Sequence, residues 1–184
     1  MISKLENEEI MLKVDSLGAE MKKLILKKDN TNYLWHGDSK YWGRTAPVLF
    51  PIVGRLKDDS YIYNNQEYKM RQHGYDKDKE FKLVEKTDNS ITYALEANSE
   101  TLNQYPFEFR LEIKYTLNEN LIRVGYKVFN QDQKKMYFSI GAHPAFYWPL
   151  NEDEKKEDYY LEFEKKEKIA KYLLEAGLLN NQTE

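Results

Sequence analysis

There is no cysteine anywhere in the 184 residues. That absence excludes disulfides, thiolate nucleophiles and cysteine zinc sites together, and it fits a reducing compartment. Long apolar runs are missing too: none is of membrane-spanning length, and Met1-Ile2-Ser3-Lys4-Leu5-Glu6 lacks the apolar core of a signal peptide. The expectation is a cytoplasmic chain with no membrane role. No broad basic field is present either, since 28 Lys and Arg against 31 Asp and Glu leave a net charge of -3. Nothing of that kind holds a phosphate backbone, so no nucleic acid partner is expected. Neither Gly-x-Gly-x-x-Gly nor a P-loop occurs, which removes the common phosphate cradles. No Gly-x-Ser-x-Gly occurs either, so a serine nucleophile on a sharp turn is not indicated.

What the chain does have is aromatic surface, 14% of residues with 15 tyrosines, and flat amphipathic rings suit both β-sheets and the faces of sugar rings. It also has alternation. Phe107, Phe109, Leu111, Ile113, Tyr115 and Leu117 are six apolar residues at every second position, with Glu108, Arg110, Glu112, Lys114 and Thr116 between them. This spacing predicts a long strand with one buried face. Asn118-Glu119-Asn120 turns it back into Ile122, Val124, Tyr126 and Val128, an antiparallel partner. Ile10, Leu12 and Val14 begin an earlier strand, Met21 to Lys27 a second apolar segment, and Tyr33-Leu34-Trp35 a short third strand. Ser60 to Tyr63 and Gln66 to Met70 flank Asn64-Asn65, a hairpin signal because asparagine tolerates left-handed turn conformations. Phe81 to Lys86 and Ile91 to Glu96 form another hairpin, and Glu100 to Tyr105 reads as one helical turn ended by Pro106. Met136 to Ile140 reads as a strand that delivers His143.

After Leu150 the pattern weakens. Asn151 to Asp158 is a mixed charge run expected as a solvated loop, Tyr159, Leu161 and Phe163 alternate briefly, and Ile169 to Leu179 suits helix or strand. At this length one domain covering residues 1–184 is expected, all-β, an antiparallel sandwich or barrel built from hairpins.

Candidate chemistry sits on turns. Ser39 to Leu56 is too apolar for an ordinary surface loop, and such loops usually fold over a core or line a site. It delivers Arg55 through Pro51-Ile52-Val53-Gly54, and a guanidinium fork binds neighbouring hydroxyls with several donors. The bland alternative is a surface arginine paired to Asp58 or Asp59. Of the three histidines, His36, His73 and His143, the last two stand beside glycine or proline after strands, with aromatic neighbours. His143 lies in Gly141-Ala142-His143-Pro144, with Phe146, Tyr147 and Trp148 as an aromatic wall, or else it merely ends a strand and hydrogen-bonds a neighbouring backbone group. Neither His73 nor His143 has a close-spaced partner of the kind that marks zinc motifs, so no metal is expected. What remains is acid–base work by histidine, whose ordinary pKa lies near neutrality.

Four stretches carry a resemblance: Ala46-Pro47-Val48-Leu49-Phe50-Pro51-Ile52-Val53-Gly54-Arg55-Leu56, Gln72-His73-Gly74-Tyr75, Tyr105-Pro106-Phe107 and Gly141-Ala142-His143-Pro144-Ala145-Phe146. In that order and approximate spacing they resemble the aldose 1-epimerase (galactose mutarotase) family, particularly its bacterial LacX-like branch, over essentially the whole chain. The resemblance implies a galactose mutarotase-like β-supersandwich, interconversion of the anomers of a free aldohexose, and no metal or organic cofactor. It implies that His143 is the general acid on the ring oxygen, His73 a histidine that binds and polarises the sugar, and Arg55 an arginine that holds hydroxyls. His73-Gly74-Tyr75-Asp76-Lys77-Asp78 stands where the family usually has His-Gly-Phe-Ala-Arg-Asp, so Lys77 replaces an arginine with fewer donors.

Members of the family also continue beyond the length of this chain, and that portion supplies the glutamate general base and a sugar-binding aspartate. No matching motif occurs in Asn151 to Glu184, and Glu175 before Ala176-Gly177 is not the family's setting for its base. Two expectations follow: an isomerase of the mutarotase type, or an incomplete, inactive sugar-binding or vestigial chain. An incomplete sandwich is further expected to expose strand edges and an apolar face, and to self-associate through them.

Overall fold

Alternation becomes strand geometry earlier than the sequence suggests. In the computed structural model, which describes residues 1–166 and 170–183, the chain opens with β1 (Ile2–Glu6), which buries Ser3 and Leu5. β1 pairs with β2 (Ile10–Asp15), whose Ile10, Leu12 and Val14 all face inward. β3 (Glu20–Leu26) and β4 (Thr31–Asn32) complete an antiparallel four-stranded sheet in sequence order. The expected strand at Tyr33-Leu34-Trp35 is displaced: pairing ends at Asn32, and Leu34 makes only an isolated bridge to Phe146.

The long apolar segment that follows is mostly irregular. It contains only β5 (Val48–Leu49), with Ala46, Val48, Leu49 and Phe50 buried. β6 (Ser60–Tyr63) and β7 (Gln66–Lys69) form the expected hairpin, with Asn64 and Asn65 at φ 50° and 60°. β8 (Lys82–Lys86), β9 (Ser90–Glu96), β10 (Phe109–Asn118) and β11 (Leu121–Asn130) make the second antiparallel sheet, in the order β11-β10-β9-β8. Between β9 and β10 lies the helical turn α1 (Ser99–Leu102), capped by the Asn98 side chain, which accepts the Glu100 and Thr101 backbone N–H groups.

The two sheets enclose one core. Leu5, Leu12 and Val14 from the first sheet share it with Ile91, Tyr93, Phe109, Leu111, Ile113 and Tyr115 from the second. The inward rows of β2 and β10 are continuous because side chains two apart lie on one face of a strand. Tyr115 reaches across the sandwich and donates its hydroxyl to the Ala19 carbonyl at 2.7 Å. The fold is thus an all-β antiparallel sandwich.

The expected strand at Met136 to Ile140 does not form. Only β12 (Gly141–Ala142) pairs, antiparallel to β5, while Ser139 donates its backbone N–H to the Pro51 carbonyl at 2.9 Å. Tyr159, Leu161 and Phe163 are also outside any strand. β13 (Tyr172–Glu175) and β14 (Leu178–Thr183) form a separate hairpin, which decides between helix and strand there, although Ile169 lies outside the described residues.

Candidate active site

Residues 47–54 are the frame on which the candidate site hangs. Upstream, the fully buried Glu20 carboxylate accepts the Thr45 and Ala46 backbone N–H groups at 2.6 and 3.0 Å, fixing where the frame begins. On one side of the frame, β12 pairs with β5, and His143 donates its backbone N–H to the Pro47 carbonyl at 2.9 Å. Ser139 adds a second tie, because its Oγ accepts the Val53 N–H at 2.9 Å.

On the other side stands the His73 turn. His73 donates its backbone N–H to the Gly54 carbonyl at 2.8 Å, and Gly54 donates its own N–H to His73 Nδ1 at 3.0 Å. Both His73 and Gly74 sit in the left-handed region, at φ 65° and 71°. At Gly74 this is obligatory twice over, since a Cβ there would lie 2.0 Å from the Phe50 carbonyl oxygen. His73 tolerates its φ because the two Gly54 bonds hold it, and strain of this kind collects at functional sites. Three separated stretches of the sequence therefore converge: Arg55 follows Gly54, Gly54 grips His73, and Pro47 holds His143.

The electrostatics bear on what each imidazole does. With Nδ1 engaged as an acceptor, the neutral His73 ring carries its proton on Nε2, where the exposed Gln72 side-chain amide lies 3.4 Å away. Burial holds the His73 pKa below the usual imidazole range, and the positive ends of Lys77 and His143 push in the same direction. His73 is thereby kept neutral. Lys77 is half-buried and braces the turn, donating Nζ to the Gln72 and Gly74 carbonyls at 3.1 and 3.0 Å. Its ammonium is thus spent on the backbone of the turn. Arg44 and Arg71 both pair with Asp78 at the far end of the turn.

His143 is exposed, and the ring packed on it comes from the apolar segment Ser39 to Leu56. Trp42 lies with its ring centre 4.9 Å from that of His143, tilted by 48°. Its place is set by Asp38, whose carbonyl accepts the Trp42 N–H, and by Trp35, whose indole N–H donates to the Trp42 carbonyl at 2.8 Å. Of the aromatic wall expected from Phe146, Tyr147 and Trp148, Tyr147 stacks on His36 and Trp148 donates to the Lys156 carbonyl at 2.7 Å, while Phe146 pairs with Leu34 through its backbone and leaves its ring exposed.

Arg55 is placed beside the His73 turn, but its guanidinium is turned to Asp59 in a two-point pair at 2.8 and 2.9 Å. Its aliphatic stem meets the β13–β14 turn, where a Cβ on Gly177 would lie 3.4 Å from Arg55 Cδ. Among the described residues, no group of three or more His, Cys, Asp or Glu side chains gathers as a metal site would require, and no helix is long and apolar enough to cross a membrane.

Residues 1–177 match the family model for aldose 1-epimerase. The chain belongs to the aldose 1-epimerase family. Protein LacX of Lactococcus lactis subsp. lactis, in its plasmid and chromosomal forms, is 42% identical over 190 residues, covering 99% of this chain. This chain spans 63% of the length of those curated relatives. A galactose mutarotase related enzyme from Lactobacillus acidophilus superposes with a TM-score of 0.95 at 34% identity, over 100% of this chain and 62% of that one. A galactose mutarotase-like protein from Lactobacillus casei does so with a TM-score of 0.77 at 38% identity, over 79% of this chain and 50% of that one. The sandwich of this aldose 1-epimerase family member is therefore the galactose mutarotase-like one.

Proposed function

We propose that this chain acts on a free aldohexose, interconverting its α and β anomers by acid–base opening of the ring. In the forward sense a base removes the anomeric hydroxyl proton, C1 becomes a carbonyl as the bond from C1 to the ring oxygen breaks, and an acid protonates that oxygen. Rotation about one bond and closure on the other face give the second anomer, so no atom or electron is gained or lost. His143 takes the part of the acid, His73 donates Nε2–H to a sugar oxygen, and Arg55 holds hydroxyls once its guanidinium leaves Asp59. The part of base falls to water, or to a carboxylate in the length of the relatives that this chain does not span.

The observation that carries this reading is the convergence on residues 47–54, which bind the His143 backbone at one end and both the backbone and Nδ1 of His73 at the other. Two imidazoles with different duties, one exposed and one held neutral, suit a reaction that needs a proton given at one oxygen and a hydrogen bond at another. Polarimetry on a panel of aldohexoses tests it: a rate above buffer, lost in His143→Ala, is expected, and an unchanged rate in that variant removes it.

A second reading is favoured by one specific observation, that no carboxylate among the described residues is hydrogen-bonded to His73 or His143. It is sugar binding without turnover. Shifts of the His73 signals on adding sugar, in the absence of any rate, select it.

A further inference from the structure

Asp76 is wholly buried, yet it makes one hydrogen bond with one of its two oxygens. Oδ1 accepts the Phe50 backbone N–H at 2.9 Å, and Oδ2 has no partner. Phe50 is also held by its carbonyl, which accepts the Tyr75 and Asp76 backbone N–H groups at 3.1 and 3.4 Å. Both polar groups of a fully buried residue are thus committed to residues 75 and 76. The Phe50 ring is fixed from the other side by Tyr105, Phe109 and Phe138, with ring centres 5.1 to 5.9 Å away. Chain leaving Phe50 therefore starts from one defined place, and within four residues it reaches Gly54, the partner of His73.

We propose that Asp76 is a positioning residue, which acts through Phe50 to register the Pro51–Arg55 loop against the His73 turn. The inference rests on the proposed function only in taking this turn as the working one. An alanine at position 76 has no acceptor for Phe50, and the amide would be left buried and unpaired. A carboxylate is an awkward choice for the task, since the ionised form is penalised wherever water is excluded.

Burial pushes the Asp76 carboxyl up to about 8, opposed by the Phe50 and Lys77 backbone amides and the Lys77 charge. The ionisable groups that face it are Lys77, whose ammonium is spent on the Gln72 and Gly74 carbonyls, and the phenols of Tyr75 and Tyr126, both raised in part by Asp76. The proton therefore stays on the buried acid at neutral pH. An unfolded chain loses that proton near 3.8, so stability falls as pH rises from there towards 8 and is level above it. As the acid ionises, its grip on Phe50 is set against an uncompensated buried charge, and the loop is expected to loosen.

The test uses the full chain with Asp76→Asn and Asp76→Ala. Asparagine keeps an oxygen for the Phe50 N–H and has no proton to lose; alanine has no acceptor. Nitrogen-detected imidazole spectra of His73 report whether Nδ1 still accepts from Gly54, and they need no turnover. In the parent chain that signature is expected to fade as pH passes through the region of 8. Asp76→Asn should hold it across the range, and Asp76→Ala should weaken it at every pH while the core methyl signals persist. If turnover is present, Asp76→Ala should lower kcat/KM by about tenfold to a hundredfold, as small displacements of a reacting group do. An Asp76→Asn chain that keeps the parent's pH transition overturns the proposal, as does an Asp76→Ala chain with unaltered His73 signals. If Asp76→Ala does not fold, the Asp76→Asn arm decides alone. A parent chain that lacks turnover but shows the expected His73 behaviour refutes the enzymatic reading and leaves the positioning role standing.

Discussion

Gly54 and His73 hold each other by two hydrogen bonds, backbone to backbone at 2.8 Å and backbone to Nδ1 at 3.0 Å. The second bond selects the tautomer, and with it the face of the ring that can donate. A histidine held this way is a neutral donor by construction, because the nitrogen that would take a proton is already accepting one hydrogen bond from the loop.

His73→Asn separates the two duties. Asparagine accepts the left-handed conformation and presents an oxygen near the place of Nδ1, so the loop should remain in register. It has no group at the reach of Nε2. We expect a melting temperature close to the parent's and a sugar-dependent rate reduced at least about tenfold, whereas His73→Ala leaves the Gly54 amide unpaired and is destabilised by about 1 kcal/mol or more. Because the folded His73 pKa is depressed by burial, the native state resists a proton that the unfolded chain takes. The contribution of this residue to stability is therefore full above the ordinary imidazole value of 6.5 and declines as pH falls below it. Melting curves from pH 5 to 8 check the sign: His73→Asn should flatten the acid limb.

Trp42 is expected to matter more than any other aromatic near His143. Its ring lies against the imidazole and is half-buried, so it can steady His143 and present apolar surface to a sugar face. Trp42→Phe should change the rate modestly, while Trp42→Ala should raise KM about tenfold with a smaller change in kcat. Trp148→Ala serves as the control, since that side chain is bonded to Lys156 instead. Equal effects of the two alanine substitutions would count against the assignment.

Arg55 and Asp59 make the next test. The pair is exposed, 43% on each side, and an exposed pair contributes little to folding. Asp59→Asn should leave the melting temperature unchanged and free the guanidinium for a ligand, lowering KM; Arg55→Ala should raise KM, again without a thermal shift. If Arg55→Ala alters only stability, the arginine is a surface residue paired to Asp59 and nothing more. Raising the salt concentration should mimic Asp59→Asn in part, because screening weakens the competing pair.

Much of the sandwich was legible because one physical rule wrote it. Phe109 to Leu117 alternate, and their rows are buried as the period of a strand demands. The β5 and β12 pairing was not legible, since two residues at 48–49 and two at 141–142 carry no period and find each other across some ninety residues of chain. Met136 to Ile140 misled for the opposite reason, because Met136 and Ile140 pack on the core without pairing while Tyr137 and Phe138 stay exposed. At the site, His73 and His143 were marked by glycine and proline neighbours and by the resemblance, but the bond from Gly54 to Nδ1 was not. Nothing in the sequence declares a left-handed histidine. Trp42 was hidden in an aperiodic loop, and Asp76 looked like one more charge in a polar run until burial set it apart.

The sheet edges supply the last prediction. β11 is an outer strand of its sheet with Leu121 and Phe129 exposed, and β13 and β14 stand as a two-stranded hairpin. Tyr160, Leu161, Phe163, Tyr172, Leu174 and Leu179 are each more than half exposed, at 62 to 79%. Unpaired strand edges beside apolar side chains are templates for a second chain, and natural proteins usually blunt them with charge. Here the outward residues of β11 include Arg123 and Lys127, which protect its middle, so the exposed side chains of Tyr160, Leu161, Phe163, Tyr172, Leu174 and Leu179 are the greater hazard. Sedimentation velocity should show association that grows with protein concentration, and Phe163→Lys with Leu174→Lys should return the chain to monomer. Lysine at Leu121 should do less, because the charged centre of β11 already discourages pairing. A parent chain that stays monomeric over a wide concentration range would mean that these side chains are covered from within the chain itself.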